Sequence, residues 1–255
     1  GLQSTDNNIL KQIGRIHTYE QFLETYNLAR DVGFTNINID LMIGLPNQEL
    51  SNLEQSLEEI IELKPQHISV YSLILEEGTK LEKQVRNGLL KLPDEIKERK
   101  MYWLVKNKLE EAGYKHYEIS NFAKEGFEAK HNINCWEQKE YIGVGLAAHS
   151  YINKIRYSNT NNLQEYLNNI KNNRTIHELQ DEEMQRKEYI LLGLRKIEGV
   201  NIQKFKHKFI ENPIYLYREE LNKLFTNKLI EIDANYIKLT KKGIDLANLV
   251  WEEFV

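Results

Sequence analysis

The sequence predicts an α/β fold: the C-terminal part of a partial (β/α) barrel, followed by a small helical winged-helix-like domain. Three observations predict it. Helical and strand periodicities alternate over roughly the first 110 residues, which implies parallel strand pairing. The strand NINIDLMIGLP, Asn36 to Pro46, carries a polar face as well as an apolar one. From about Asp181 the order becomes three helices, a hairpin and a last helix.

The chain reads as beginning at the end of a strand, GLQS, followed by a short helical stretch with Ile9, Leu10 and Ile13. A helix follows, with Tyr19, Phe22, Leu23, Tyr26, Ala29 and Val32 at helical spacing, Thr18 as its cap and Gly33 as its stop. In the next segment Ile37, Ile39, Leu41 and Ile43 alternate with Asn36, Asn38, Asp40 and Met42, the period of a strand. Leu50, Leu53, Leu57, Ile60 and Ile61 then define a helix with a Ser51 to Glu54 capping pattern, ended by Pro65. HISVYSLILEE, His67 to Glu77, supplies the next strand. A long helix is expected from about Pro93 to Ala112, with Ile96, Met101, Tyr102, Val105 and Leu109 as its core stripe.

YKHYEISNF reads as a strand, AKEGFEAKHNINCWEQKEY as a loop, and YIGVGLAAHSYI as a strand against which a backbone or a flat ligand lies closely. An asparagine-rich stretch from Ser158 to Arg174, largely one helix, leads to the second domain. The expected domains are therefore 1–175 and 176–255. In the second, LIEIDANYIKLT forms a hairpin turning at Asp233 to Asn235.

Composition narrows the function. At 255 residues and 41% hydrophobic content the chain buries a large core. A net charge of −4 and a pI near 6.1 supply no global basic field. The winged-helix pattern makes a DNA-binding regulator the rival from another class. Its reading helix, however, sets Arg218 and Lys223 against Glu219 and Glu220 and nets to zero, where phosphate contacts dominate DNA affinity. No nucleic-acid partner is expected. One cysteine, Cys135, excludes an internal disulfide and a metal centre built from several cysteines of this sequence. No apolar run reaches membrane-spanning length, and GLQSTDNN has neither region of a signal peptide, so a cytoplasmic chain is expected.

If helices cover the isoleucine face of the first strand, Asp40 looks inward. A polar inner wall suggests a ligand cavity, since a buried carboxylate without a partner is costly. The alternative is an antiparallel surface strand that turns Asp40 to water. Gln3 and Arg15 sit where strands end or helices begin, although a turn-forming Gln and a solvated Arg also fit. Together the amide, the guanidinium and the carboxylate suit a ligand bearing a carboxylate and a ribose.

The motifs GLQS, GRIH and NIDLMIGLP, at these spacings, resemble the middle of the radical S-adenosylmethionine proteins of the coproporphyrinogen dehydrogenase (HemN) and HemW group. The resemblance continues through VYSLILEEGT, YEISNFA, HNINCW and YIGVGLAAHS to LTKKGIDLA, nearly the whole chain. It implies a radical-SAM barrel, with Gln3 and Asp40 on the ribose of S-adenosylmethionine and Arg15 on its methionine carboxylate. It also implies a [4Fe–4S] cluster, whose three-cysteine loop this sequence does not contain. The ligands are expected upstream of Gly1, so the chain alone is expected to be inert as a radical enzyme and prone to self-association.

YEISNFA with HNINCW resembles the HemW branch, heme chaperones that bind heme and deliver it to acceptor proteins. The alternatives are a coproporphyrinogen III dehydrogenase of heme biosynthesis and, third, a heme-modifying methyltransferase. The HemW pattern reads His-Asn-x-x-Tyr-Trp; His131, Asn132 and Trp136 match, and Cys135 replaces the tyrosine. An imidazole or a thiolate ligates heme iron and an indole stacks on the macrocycle. Equally, His131 reads as a loop histidine, Cys135 as a buried thiol and His149 as a core histidine. His67 shows no ligand-like pairing.

Overall fold

The computed structural model describes residues 1–172, 176–179 and 181–255. They form two compact units, Gly1–Glu128 and Ala129–Val255. The domain boundary expected after residue 175 falls on 173–175, outside the described residues.

The first unit opens with α1 (Asn7–Gln12), whose N-terminal amides of Asn8 and Ile9 donate to the Asp6 side chain. In α2 (Tyr19–Asp31), Thr18 and Gln21 form a reciprocal capping box. Tyr26 alone is buried on that helix, and Val32 stays 65% exposed. Strand β1 (Asn38–Ile43) precedes α3 (Leu50–Glu62), which is capped by Glu49 with Asn52, two residues earlier than the Ser51 to Glu54 pattern suggests. Next come β2 (His67–Ser72), a short α4 (Lys80–Arg86) that the periodicity did not announce, and α5 (Glu95–Glu111) with Asp94 as its cap. The hairpin β3 (Lys115–Glu118) and β4 (Asn121–Ala123) completes the sheet.

Strand order is β1-β2-β4-β3. β1 and β2 are parallel and in register, whereas β4 pairs antiparallel with both β2 and β3. Two strands joined by a tight turn pair only antiparallel, so the βα pattern ends here and no barrel closes. Before β1, Gln3 makes a parallel bridge to Leu41 and extends the arc by one element. The outer face carries Ile39, Leu41, Ile43, Ile68 and Val70, all at most 5% exposed. With them Leu53, Leu57 and Ile60 of α3 and Met101, Val105 and Leu109 of α5 are buried. Each such side chain contributes about 1.5–3 kcal/mol of burial. The expected stripe on α5 holds except at Ile96, 70% exposed.

The second unit begins with α6 (Lys130–Trp136), a helix where the polar, aromatic-rich composition suggests a loop. Of the strand expected in YIGVGLAAHSYI only a bridge from Tyr141 to Tyr151 and β5 (His149–Ile152) form. Gly143 shows why a glycine stands there: a Cβ would lie 2.0 Å from the His149 carbonyl oxygen. His149 itself is exposed, not a core residue. β5 turns into β6 (Ile155–Ser158) through Asn153 and Lys154, both at positive φ, as a two-residue hairpin loop requires. α7 (Leu163–Asn172) and β7 (Ile176–Leu179) follow, and β7 closes the sheet β5-β6-β7.

The winged-helix arrangement comprises α8 (Glu182–Gly193), β8 (Val200–Asn201), α9 (Ile202–Phe209), α10 (Pro213–Leu216), α11 (Arg218–Thr226), β9 (Ile230–Ile232), β10 (Tyr236–Leu239), α12 (Lys241–Asp245) and α13 (Ala247–Trp251). Its sheet order is β8-β10-β9. The turn lies where expected, with the Asn235 and Tyr236 amides donating to Asp233 Oδ1 at 2.8 Å. Phe205, Ile190, Leu194, Leu221, Leu224, Ile237 and Val250 form its apolar core. Among the described residues no helix is long and apolar enough to cross a membrane.

Candidate functional site

The inner face of the first unit's sheet is polar because the alternation of β1 and β2 is in phase. Asn38 lies opposite His67 and Asp40 opposite Ser69, while Ile39 and Leu41 lie opposite Ile68 and Val70 on the other face. The register carries on to β4 and β3, where Ser69 meets Asn121 and Asn121 meets Glu118. Asp40, Ser69, Asn121 and Glu118 thus form one row across four strands.

Hydrogen bonds hold this wall. Asn38 Nδ2 donates to Asp40 Oδ1 at 2.6 Å. Asn38 Oδ1 lies 2.6 Å from His67 Nδ1 and accepts from Ser69 Oγ at 3.2 Å. His67 Nε2 lies 2.8 Å from the Tyr117 hydroxyl. The Ser120 amide donates to Glu118 Oε1 at 3.0 Å, and Asn121 Nδ2 donates to the same oxygen. Asn121 Oδ1 is buried with no hydrogen-bond partner among the described residues, an acceptor still open to a donor. Burial lowers the His67 pKa despite the Asp40 and Glu128 carboxylates, so the ring is neutral at pH 7.

Two of the three residues expected to hold a nucleoside come together here. The Gln3 amide donates to the Asp40 carbonyl at 2.8 Å, and the Gln3 carbonyl accepts from Met42 at 2.9 Å. Gln3 sits at φ +71°, a left-handed conformation that ends the strand segment. Gly1 passes so close that a Cβ there would lie 2.5 Å from Gln3 Nε2 and 3.6 Å from Asp40 Oδ2. The Asp40 side chain keeps 33% of its surface exposed, and Gly1 N lies 3.7 Å from Oδ2. Arg15 lies on the exposed turn between α1 and α2 and makes no ion pair among the described residues. That turn returns to the strand end through His17, whose Nε2 lies 3.4 Å from the Leu2 carbonyl.

This donor set fits a nucleoside carrying a carboxylate: an open carboxylate oxygen for hydroxyls, an amide beside it, and an uncommitted guanidinium. It does not fit an iron–sulfur cluster. Such clusters take several thiolates. Cys135 is the one cysteine of the sequence, and no group of three or more His, Cys, Asp or Glu among the described residues is placed to hold a metal ion.

The heme-directed residues lie on α6 in the second unit. His131 is exposed, with Nε2 3.8 Å from the half-buried Cys135 Sγ one helical turn on. The Tyr141 ring meets the imidazole edge-on at 6.1 Å. Asn132 is half-buried. Trp136 faces elsewhere: the Arg195 guanidinium lies 4.5 Å from its ring centre and 5.1 Å from that of Trp251. His131 and Cys135 therefore share a face that Trp136 does not.

A cleft of about 320 Å³ in the first unit, lined by Asn47, Gln48, Glu49, Lys91, Asp94 and Lys97, contains none of the expected residues. Its Glu49 and Lys97 are paired at 2.5 Å. Sequence reasoning missed Asn38 as the hydrogen-bond partner of Asp40, and His67 and Tyr117 behind it. The available signal was the alternation in HISVYS, which puts His67 and Ser69 on the same face as the polar residues of NIDLMI once the strands are parallel and in register.

Comparison with known proteins adds independent findings. The radical SAM superfamily model matches residues 1–60, and the HemN C-terminal domain model matches residues 180–246. The heme chaperone HemW of Lactococcus lactis is 40% identical over 256 residues, spanning 100% of this chain and 68% of that protein. HemW of Bacillus subtilis is 38% identical over 259 residues, with the same coverage. The solved structure of coproporphyrinogen III oxidase (HemN) from Escherichia coli superposes with a TM-score of 0.81 at 20% identity, covering 100% of this chain and 62% of that one. At that identity the likeness is one of fold.

Proposed function

This chain belongs to the radical S-adenosylmethionine HemN/HemW family, and on that premise we propose that it is a heme-binding chaperone that passes heme to acceptor proteins. The observation that carries this is the 40% identity to a heme chaperone along the full length of the chain. The exposed His131, one turn from a thiol and beside an aromatic ring, supports a heme-iron contact on α6. The committed Trp136 ring limits its use as a stacking partner.

In the first unit, Asp40 and Gln3 would hold the ribose hydroxyls of S-adenosylmethionine, and Arg15 its carboxylate. When bound, that group supplies a sulfonium whose carbon–sulfur bonds are reactive. The protein's part is to present acceptors on a hydrogen-bonded wall and a cation on the adjoining turn. The residues of this sequence, with Cys135 as its one cysteine, do not suit an iron–sulfur cluster.

Titration of heme into the anaerobic protein tests the main reading. A Soret band that saturates near one equivalent, shifts in His131→Ala, and moves to an acceptor apoprotein is the expected result. No saturable binding overturns it. The second reading, coproporphyrinogen III dehydrogenase, rests on the fold shared with HemN. Decarboxylated product from coproporphyrinogen would favour it over the chaperone.

A further inference from the structure

We propose that His67 is a positioning residue for Asp40, held in a single tautomer by Tyr117 and acting through Asn38. The inference rests on the nucleoside reading of Asp40 and adds the chain of protons behind it. Asp40 is where the logic starts, because an ionised carboxylate only accepts. Asn38 must therefore turn its Nδ2 to Asp40 Oδ1, 2.6 Å away. That orientation presents Asn38 Oδ1, an acceptor, to His67 Nδ1 at 2.6 Å, so Nδ1 carries the proton. In a neutral ring Nε2 is then the acceptor, and the Tyr117 hydroxyl at 2.8 Å donates to it. Ser69 Oγ donates a further proton to Asn38 Oδ1 at 3.2 Å.

Each proton is thus assigned, and all point toward Asp40. His67, Ser69 and Tyr117 are 5%, 3% and 7% exposed, so water does not compete for the bond between His67 and Tyr117, and leaving it unmade carries the full penalty of a buried polar group, whereas Asn38 is exposed and depends on His67 and Ser69 to hold its orientation against water. The result is an Asp40 whose Oδ1 is committed and whose Oδ2 is aimed, the asymmetry that suits a ribose hydroxyl. The same logic sets apart the residues of the chain: Asp40 would touch ligand, while Asn38, His67 and Tyr117 act only through it.

The test is S-adenosylhomocysteine binding to the full 255-residue chain by calorimetry, together with the long-range ¹⁵N spectrum of the histidines. Wild type is expected to show His67 as the Nδ1–H tautomer. Tyr117→Phe, which removes one hydroxyl, and His67→Phe are each expected to weaken binding about tenfold, the size of one buried hydrogen bond left unmade. His67→Gln, which can donate and accept, restores most of it. Asp40→Ala abolishes binding. An Nε2–H tautomer, or unchanged affinity in Tyr117→Phe and His67→Phe alongside loss in Asp40→Ala, overturns the positioning chain alone. Absence of binding by wild type, or unchanged binding in Asp40→Ala, overturns the nucleoside reading and the chain with it. Tyr117→Phe keeps the test decisive if His67→Phe fails to fold.

Discussion

The two sheets at the heart of the units use their inner faces in opposite ways. Around β8-β10-β9 the enclosed side chains are Phe205, Ile190, Leu221, Ile237 and Val250, an apolar core. Around β1-β2-β4-β3 the apolar set, Ile39, Leu41, Ile68 and Val70, is spent on α3 and α5, and the opposite face is a hydrogen-bonded row of Asp40, Ser69, Asn121 and Glu118. A core maximises buried apolar area, whereas a binding wall keeps polar groups fixed while leaving some of them open. The sheet β1-β2-β4-β3 therefore carries a cost of polar burial that the core around β8-β10-β9 avoids, an arrangement that supports the proposal of a small polar ligand on this wall.

That contrast is open to measurement. The largest effect is expected in the second unit. Phe205→Ala empties a fully buried aromatic position and should cost about 3–5 kcal/mol in denaturant unfolding; a loss below about 1 kcal/mol would mean that this core is not cohesive.

Next comes acid sensitivity in the first unit. Burial, the dominant cause, lowers the His116 pKa from 6.5 to about 4, with its ring stacked 4.4 Å from Phe122. The unfolded chain binds that proton more readily, so stability is complete above pH 6.5 and is lost as pH falls toward 4. The loss amounts to roughly 3 kcal/mol over that window. Melting temperature against pH should show it, and His116→Phe should flatten the curve.

A smaller effect is expected at the α2 capping box, where Thr18→Ala removes the acceptor of the Gln21 amide and should cost about 1 kcal/mol. Smallest in stability, under about 0.5 kcal/mol, is Asp40→Ala, because the carboxylate is a third exposed and its removal relieves as much desolvation as it forfeits in bonding. A residue that matters for ligand and hardly for folding is what separates a binding wall from a core. A large loss of stability in Asp40→Ala would erase the distinction.

Much of this was legible in the sequence. The periods of 3.6 and 2 place α2, β1, α3 and α5 close to their observed bounds, because burial of one face is written into residue spacing, and start β2 at His67, although that strand ends at Ser72 and not at the expected Glu77. The hairpin at Asp233 is equally local, since Asp233 caps its own turn. Where sequence reading failed, the decisive contact was distant or conformational. α6 looks like a loop because HNINCW lacks a helical apolar stripe, and its Trp136 is held by Arg195, far along the chain. His149 sits among apolar residues in sequence but ends exposed as the first residue of β5, where the segment before it does not form a strand.

By itself, then, the sequence determined which residues are paired with which face: alternation alone made Asp40, Asn38, His67 and Ser69 polar neighbours-in-waiting and set Gln3 and Arg15 at element ends. Only the tertiary structure decided the register of the parallel pair β1 and β2, and that Tyr117 comes back across the sheet to His67. Periodicity is a local property that a chain states residue by residue. Register and long-range hydrogen bonding depend on how distant segments dock, and no spacing within either segment encodes that.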